Sequence, residues 1–423
     1  MVSFDPEIIQ TTNAIAAEML RPRESRALSL ARKGAKLSKL ALLAVLGPAA
    51  IAGCAGEEPI DTALDWRGSF DTLETGTVLV RNPAAPAWDS ATAWRLEEEL
   101  RIGAADGPEP QVFRGIAAVS ADERGNIYVL EAVAQEVRVF APDGTYRRTI
   151  GSPGRGPGEL LGAFGLARDD RGRLWVPDSR NLKYVVFDPR GTVEQEYRRP
   201  LGPVYPFPGV FDTAGRLLDL TLNAGRRQLD LVPVTFSLDP PAFEQWPAVT
   251  QRTHPGPAPR SLVSLQPRVA LSLDRRGYVW FGTTDEYRIY QRTLQGDTLR
   301  IIERPSEAVP LSDSERAALM AELAEFRDRL DPDLIPTHGP AFNRFVLDDA
   351  AYLFVNLPGT ADQVGRLIDV FDRLGRYLGR MTSPVRLDWM VPPAITRDHL
   401  LGVTRDEQNV THVVRLRLVR PEC

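Results

Sequence analysis

Residues 116–151 read IAAVSADERGNIYVLEAVAQEVRVFAPDGTYRRTIG, and residues 164–199 repeat the pattern as FGLARDDRGRLWVPDSRNLKYVVFDPRGTVEQEYRR. Each copy has a short apolar run, an Asp-x-x-Gly turn, an aromatic-rich run, an alternating run and a second glycine-containing turn. The alternation over 136–140 predicts half-buried antiparallel strands. Asp143-Gly144 predicts a tight hairpin, because glycine adopts positive φ without a Cβ clash. Each copy therefore predicts a four-stranded sheet, and the repetition predicts a repeat architecture.

Weaker copies of the pattern follow along the chain. They cover 206–240, 268–304 and 342–381, and a last, incomplete copy covers 394–420. The turn aspartates of the five complete copies are Asp122, Asp169, Asp212, Asp274 and Asp348. Aspartate side chains bond the backbone of such turns, so we interpret these residues as structural.

Two predicted strands near the start of the chain, within 77–82 and 94–103, belong to no complete copy. The last copy has sequence for only three strands. Closing a ring of sheets removes the exposed edges that invite aggregation. We therefore expect the two ends of the chain to share one sheet of a closed ring.

Three motifs carry a resemblance to a known family. Asp-x-x-Gly-Asn-Ile-Tyr-Val begins at Asp122, Val-Phe-x-Pro-Asp-Gly at Val139, and Gly-x-Gly-Pro-Gly-Glu at Gly154. With them, the region 94–420 resembles NHL-repeat and TolB-like six-bladed β-propellers. The resemblance implies an all-β, six-bladed propeller, and bacterial members of this group are often lipoproteins.

One excursion between the fourth and fifth copies, residues 311–336, has a helical pattern. Ser312 and Glu315 have the spacing of a capping box, and Leu319, Leu323, Phe326 and Leu330 fall on one face of a helix over 312–330. A helix cannot belong to a blade. We expect this helical insertion to lie across one face of the ring and to narrow its channel.

The beginning of the chain has the pattern of a lipoprotein signal peptide. Basic residues at 32–39 precede an apolar run of 13 residues, 40–52, whereas a membrane-spanning helix needs about 20. The run ends in Ile51-Ala52-Gly53-Cys54, which resembles the lipobox of bacterial lipoproteins. This implies lipid attachment at Cys54; the alternative is an ordinary secretory signal followed by a chance cysteine. We predict a leader at 1–53, a tether at 54–76 and the propeller at 77–423.

Composition and charge restrict the partners. The chain of 423 residues has 43% hydrophobic residues and a net charge of −5. Nucleic-acid binding needs a basic face, so this balance argues against it.

By resemblance to enteric lipoproteins, Ala55 after the cysteine favours the outer membrane. We expect a cell-envelope protein that binds another envelope protein, a peptide or a carbohydrate.

The predicted channel mouth supplies the candidate binding residues. They stand at or just before the predicted inner strands and are Arg114, Phe164, Phe207, Arg268, Asn343 and Arg344. Arginine and aromatic side chains together suit a carboxylate, a sugar or a peptide terminus. The alternative is that the phenylalanines belong to the core between blades and the arginines bridge blades.

The competing function is a metal-dependent hydrolase or lyase, since some propellers hold Ca²⁺ or Zn²⁺ in the channel. Here the four histidines, His254, His338, His399 and His412, have no partner at metal-ligand spacing. The glycine-rich segment 151–159 lacks the Lys-Ser or Lys-Thr of a P-loop, and we interpret it as a connecting loop. No catalytic residue, metal site or cofactor is predicted.

Overall fold

The computed structural model describes residues 65–199, 202–224, 228–238, 241–252, 268–306, 310–322, 337–359 and 362–421. The predicted leader, Cys54, His254, and the helical positions Leu323, Phe326 and Leu330 lie outside these residues. The first strands are β1 (Ser69–Thr72), β2 (Val78–Arg81) and β3 (Arg95–Ile102). A short 3₁₀ helix, Glu109–Gln111, follows them.

The two clear repeats form the first two blades, each an antiparallel sheet of four strands in sequence order. Blade 1 consists of β4 (Ile116–Ala121), β5 (Ile127–Glu131), β6 (Glu136–Phe140) and β7 (Tyr146–Ile150). The connecting loop contains the short parallel pair β8 (Ser152–Pro153) and β9 (Glu159–Leu160). Blade 2 consists of β10 (Ala167–Arg168), β11 (Leu174–Asp178), β12 (Lys183–Phe187) and β13 (Val193–Arg198).

The next three repeats form blades 3, 4 and 5. Blade 3 consists of β14 (Val210–Phe211), β15 (Leu217–Ala224), β16 (Gln228–Leu238), β17 (Pro241–Gln245) and an additional strand, β18 (Val249–Arg252), that pairs with β16. Blade 4 consists of β19 (Val269–Leu273), β20 (Val279–Thr283), β21 (Arg288–Arg292) and β22 (Thr298–Glu303). Blade 5 consists of β23 (Arg344–Leu347), β24 (Leu353–Asn356), β25 (Leu367–Phe371) and β26 (Tyr377–Thr382).

Blade 6 is built from both ends of the folded region. Its strands are β27 (Ala394–Ile395), β28 (His399–Arg405), β29 (Thr411–Val419) and β3. Strand β3 pairs antiparallel with β29, from Val413 opposite Ile102 to Val419 opposite Arg95. The predicted sharing of one sheet by the two ends is therefore confirmed.

Six apolar clusters hold the ring together, one at each contact between neighbouring blades. At the contact between blades 6 and 1, Val403 and Val413 pack with Val129 and Phe140. Trp175 and Trp280 stand at equivalent positions of β11 and β20 and are almost fully buried. The described residues thus form an all-β, six-bladed propeller.

The N-terminal strands β1 and β2 form a hairpin on the outer edge of blade 4. Strand β2 lies parallel to β22, so this sheet has six strands. Residues 65–76, which we assigned to the tether, therefore include a strand of the folded body. This attachment has no counterpart in the repeat pattern.

Helix α1 (Asp313–Glu322) lies in the connection between blades 4 and 5. It begins within the predicted capping box, and Leu319 is buried. The remainder of the excursion, 323–336, lies outside the described residues. A helical insertion of the predicted extent is not shown, and its position across the channel stays a prediction.

Candidate binding channel

A cavity of about 1560 Å³ follows the axis of the propeller. Residues from the first strand of every blade line it, namely from β4, β10, β14, β19, β23 and β27. The lining extends from residues that precede these strands to the turns that follow them. The cavity is therefore the central channel.

The two ends of the channel differ in the segments that form them. Because each blade is an antiparallel meander, the Asp-x-x-Gly turns after the first strands lie at one end, which we call the turn face. The turns between second and third strands, and the connections between blades, lie at the other end, which we call the connection face. The predicted mouth residues belong to the connection face.

Four of the six predicted residues line the channel: Phe207, Arg268, Asn343 and Arg344. Arg268 and Arg344 stand at the start of neighbouring inner strands, and Phe207 is half-buried. The side-chain Nδ2 of Asn343 donates to Asn356 Oδ1 at 3.1 Å. This hydrogen bond fixes the Asn343 side chain to blade 5. The channel thus brings together residues from three blades.

The other two predicted residues lie outside the channel lining. Phe164 is 4% exposed and packs against Tyr205 and Phe207, with the Arg199 guanidinium 5.3 Å from its ring centre. It therefore fits the alternative, in which the phenylalanine belongs to the core between blades. Arg114 is exposed, and its guanidinium lies 3.7 Å from Glu109 Oε1 within the same connection.

Buried polar residues at the ends of second strands hold the segments that lead into the channel. Glu131 Oε1 accepts the backbone N–H groups of Arg114 and Gly115 at 2.8 and 2.6 Å. Asp178 accepts those of Leu161 and Gly162 at 2.7 and 3.0 Å. Our sequence reasoning missed this role. Its signal is the acidic residue that ends the apolar runs IYVLE and LWVPD.

Among the described residues, the lining of the channel at the connection face contains two arginines and no acidic residue. Arg268 and Arg344 line this end, whereas the acidic residues that line the cavity come from the turn face. Burial lowers the pKa of Arg344, the positive charge of Arg268 lowers it further, and Asp388 partly opposes this. The Arg344 guanidinium makes no hydrogen bond or ion pair with any described residue.

The turn face has mixed charge. Its lining includes Glu123, Arg124, Asp170, Arg275, Asp349, Arg397 and Asp398. Arg275 and Asp349 form an ion pair with N–O distance 3.6 Å. The two ends of the channel thus differ in construction, and the acidic residues among the described lining are only at the turn-face end.

The Asp-x-x-Gly carboxylates close their own turns. Asp122 Oδ1 accepts the N–H groups of Arg124 and Asn126 at 3.0 and 2.8 Å. Asp274 Oδ1 accepts those of Arg276 and Tyr278, and its Oδ2 accepts the indole N–H of Trp280 at 2.8 Å. The structural interpretation of these aspartates agrees with this geometry.

The glycine-rich loop satisfies its own N–H groups. Gly156 N donates to Glu159 Oε2 at 2.6 Å, and Gly158 N donates to Glu196 Oε1 at 2.8 Å. Lys183 Nζ donates to the Gly156 carbonyl at 3.1 Å. The donors that an anion would need are occupied by carboxylates, as expected for a connecting loop.

Within the described ranges, no three His, Cys, Asp or Glu side chains come together as metal ligands. His412 pairs with Asp406 at 2.9 Å, and His399 pairs with Glu99 at 3.1 Å. The metal-dependent alternative stays a prediction. In the part of the chain that the structure describes, no helix has the length and apolarity to cross a membrane.

Five exposed large apolar side chains lie on the connection face. Of the eight in the described residues, five lie on this face, and Leu73, in the turn between β1 and β2, lies at the opposite end. Their exposed fractions are Val133 61%, Leu182 51%, Tyr205 59%, Val364 39% and Met390 63%. They come from three turns between second and third strands and from two connections between blades. We call this set the apolar rim.

Comparison with known proteins agrees with the fold. No protein-family model and no curated protein sequence matches the chain. A predicted exported protein from Bacteroides fragilis is similar in structure, with TM-score 0.50 and 11% identity over 81% of this chain and 100% of that chain. Virginiamycin B lyase from Staphylococcus aureus has TM-score 0.42 and 11% identity over 77% of this chain and 100% of its own. The similarity to the Bacteroides protein concerns the fold alone and agrees with a six-bladed propeller.

Proposed function

We propose that this protein is a cell-envelope lipoprotein of the NHL-repeat or TolB-like type. Its propeller binds a protein or peptide partner through the connection face. The apolar rim is the observation that carries this proposal. Exposed apolar side chains gathered on one face are a feature of interaction sites, and here five lie on the connection face, of which Tyr205 and Met390 also line the channel.

The construction of the connection face supports a binding role. Turns and connections there come from several blades, so a partner would contact side chains held by separate rigid sheets. Large apolar side chains such as Tyr205 and Met390 contribute most to protein interfaces when a partner buries them. Of the predicted partner classes, a protein or peptide suits this surface best.

The sequence before the folded region supports the anchor. The basic residues at 32–39, the apolar run and Ile51-Ala52-Gly53-Cys54 together have the pattern of a lipoprotein signal. A diacylated and further acylated cysteine anchors a protein stably, because stable anchoring takes more than one chain. Labelling with a fatty acid in a bacterial host tests this: wild type should incorporate label, and Cys54→Ala should not.

Photo-crosslinking from defined positions tests the binding face. A photoreactive amino acid at Val133 or Met390 should give discrete larger products in intact envelopes. The matched controls are Glu123 and Asp143, which are exposed on turns of the opposite face. Equal products from both faces, or products from neither, would contradict the proposal.

A further inference from the structure

We infer that the N-terminal hairpin is the surface through which the propeller contacts the bilayer that holds its lipid anchor. This inference rests on the proposed lipid attachment at Cys54 and adds an orientation to it. The surface consists of Trp66, Phe70, Leu73 and Leu299, and we call it the hairpin patch. The partner that it fits is a zwitterionic lipid surface.

The exposed large apolar side chains of the described residues form two groups. Five belong to the apolar rim, and the remaining three are Phe70, Leu73 and Leu299. Phe70 lies on β1, Leu73 in the turn between β1 and β2, and Leu299 on β22, the strand that pairs with this hairpin. The second group is therefore confined to the outer edge of blade 4.

Backbone and ring contacts bring the hairpin patch together. The ring centres of Trp66 and Phe70 are 4.9 Å apart. The backbone N–H of Leu73 donates to the Thr77 carbonyl at 2.9 Å. Thr77 Oγ1 in turn donates to the carbonyl of the residue before Leu299 at 2.8 Å. The two leucines thus lie at the turn end of the hairpin, and the aromatic pair lies nearer the other end.

The chain that precedes the hairpin keeps this edge within reach of the membrane. Residues 54–64 join the predicted lipid attachment to Asp65, the first described residue. Those eleven residues span at most about 40 Å when fully extended. Strand β1 begins at Ser69, soon after this segment. The hairpin is therefore the element of the propeller that the anchor ties most directly to the bilayer.

An anchored protein needs only a weak contact to stay docked. Binding of the hairpin patch to the same membrane is intramolecular, and a short linker gives an effective concentration of about 1 mM. Phenylalanine and leucine side chains gain free energy when they leave water, and aromatic residues favour the interfacial region of a bilayer. The acyl chains hold the protein at the membrane, and the hairpin patch adds the contact that fixes its orientation.

The charges around the hairpin patch select the lipid. Residues 55–76 contain six acidic residues and a single basic one, Arg67. Arg67 pairs with Asp65, and Arg81 pairs with Asp71 on the same hairpin. Anionic headgroups repel this acidic segment. The hairpin patch therefore suits phosphatidylethanolamine or phosphatidylcholine.

Docking through this edge leaves the proposed binding face free. The hairpin lies at the perimeter of the ring, outside the fourth strand of blade 4. The apolar rim lies on the connection face, around an axis that the perimeter encloses. A bilayer at the outer edge of blade 4 covers neither end of the channel, so a partner reaches Val133 and Met390 from the aqueous side.

Quenching by a labelled lipid tests the orientation with the full acylated chain in vesicles of phosphatidylethanolamine and phosphatidylcholine. In a Cys423→Ser background, the variants Thr72→Cys, Val133→Cys and Asp143→Cys each carry the same fluorophore. These exposed positions lie on the hairpin, on the apolar rim and on a turn of the turn face. A nitroxide on the lipid acyl chain should quench the label of Thr72→Cys and leave the other two labels unquenched.

Substitutions assign the quenching to the hairpin patch. In the labelled Thr72→Cys protein, Phe70→Ser and Leu73→Ser should each lower the ratio of docked to undocked protein by about 10-fold, the effect of losing a partly buried apolar side chain. Met390→Ser is the matched control, because it removes an exposed apolar side chain of the rim. It should leave the quenching unchanged. Phosphatidylglycerol in place of part of the zwitterionic lipid should reduce the quenching at low salt.

The thermal midpoint guards against misfolding. Because both side chains are exposed, Phe70→Ser and Leu73→Ser should leave the midpoint nearly unchanged. A large fall would show that these side chains pack against protein and would overturn the inference.

The remaining outcomes separate this inference from the proposed function. Equal quenching of Thr72→Cys and Asp143→Cys, quenching that persists in Phe70→Ser, or stronger quenching with phosphatidylglycerol would overturn the membrane contact and leave the anchor and the binding face standing. Quenching of Val133→Cys alone would overturn both, because the rim would then face lipid. A lack of fatty-acid label at Cys54 would overturn the anchor and this inference with it, while crosslinks from the rim would still support the binding face.

Discussion

At the scale of single residues, the fifth repeat departs from the others at two positions. Ala351 stands where the other complete repeats have glycine, and its φ is +64°. Asp348 Oδ2 is buried without a hydrogen-bond donor. In the fourth blade, the equivalent oxygen of Asp274 accepts the indole N–H of Trp280. Both departures have consequences for stability.

Replacing Ala351 with glycine should stabilise the protein. A left-handed backbone costs an L-residue about 1–2 kcal/mol, while glycine loses about 0.5–1 kcal/mol in chain entropy. The free energy of unfolding in urea should rise by up to about 1 kcal/mol. Gly277→Ala is the reverse control, since φ is +85° and a Cβ there meets no atom within 4 Å. It should lower the free energy of unfolding by up to about 1 kcal/mol, and equal stability of both variants and wild type would contradict the argument.

Asp348 should give the protein a measurable pH dependence. Burial raises its pKa to about 6, although Arg420 and two backbone N–H groups oppose this. The native state then holds the proton more tightly than the unfolded chain, so this group's contribution to stability falls as pH rises from about 4 to 6. Relative to wild type, Asp348→Asn should therefore gain on the order of 2 kcal/mol between pH 4 and pH 7, measured by urea unfolding.

Asp122→Asn is a control of opposite sign. Burial raises the pKa of Asp122, but the hydrogen bonds from Asn126 and the charge of Arg168 lower it overall. Its stabilising contribution is present above the unfolded pKa and is lost as pH falls. Relative to wild type, this variant should lose stability as pH rises from about 3 to about 5, where the unfolded carboxyl finishes its titration. A shift in the same direction for both variants would refute the assignment to these side chains.

At the scale of elements, one side chain attaches the N-terminal hairpin to two blades. Asn82 is 5% exposed. Its Oδ1 accepts the indole N–H of Trp66 at 2.9 Å and the backbone N–H of Tyr377 at 2.6 Å. Its Nδ2 donates to the carbonyls of Glu303 and Gly375 at 3.1 and 3.0 Å. The Asn82 side chain thus joins the hairpin to blades 4 and 5, in addition to the backbone pairing of β2 with β22.

Asn82→Ala should release the hairpin edge. Leaving these buried groups without a partner should lower the free energy of unfolding by about 2 kcal/mol or more. Protease cleavage near the turn at 73–76 should become faster. Asp71→Asn is the control, because the Asp71–Arg81 ion pair of the same hairpin is exposed and should contribute less than about 1 kcal/mol. Equal losses from both variants would show that Asn82 has no special role.

At the scale of the whole molecule, the ring depends on strand β3. It pairs with β29 along blade 6, and its residues Leu96 and Ile102 belong to the clusters that join blade 6 to blades 5 and 1. Without β3, blade 6 would present an open edge and apolar surface. The channel would then lose its fixed circumference.

Truncation tests this closure. A protein that begins at residue 65 should be a folded monomer, whereas one that begins at residue 104 should aggregate or lose its near-ultraviolet circular dichroism. Size-exclusion chromatography of both proteins provides the measurement. A monomeric, cooperatively unfolding protein from residue 104 onward would mean that five complete blades hold the sixth without the closing strand.

The sequence by itself determined the blades. Turn chemistry such as Asp-x-x-Gly and the alternation of apolar residues act over a few neighbours, so they can be recognised without knowing the fold. The unpaired strand before the first repeat and the short last repeat indicated closure because an open edge is unfavourable. Even the diverged third repeat kept Asp212, whose Oδ1 closes the same turn.

The tertiary structure alone decided which candidates share the channel. Phe164 and Phe207 precede equivalent strands, yet Phe164 is buried beneath Tyr205 while Phe207 lines the cavity. Arg268 and Arg344 line the same end of the channel only because consecutive blades place their inner strands side by side. These relations depend on contacts between residues far apart in the chain. Local pattern contains no information about which distant side chain will cover, pair with or face another.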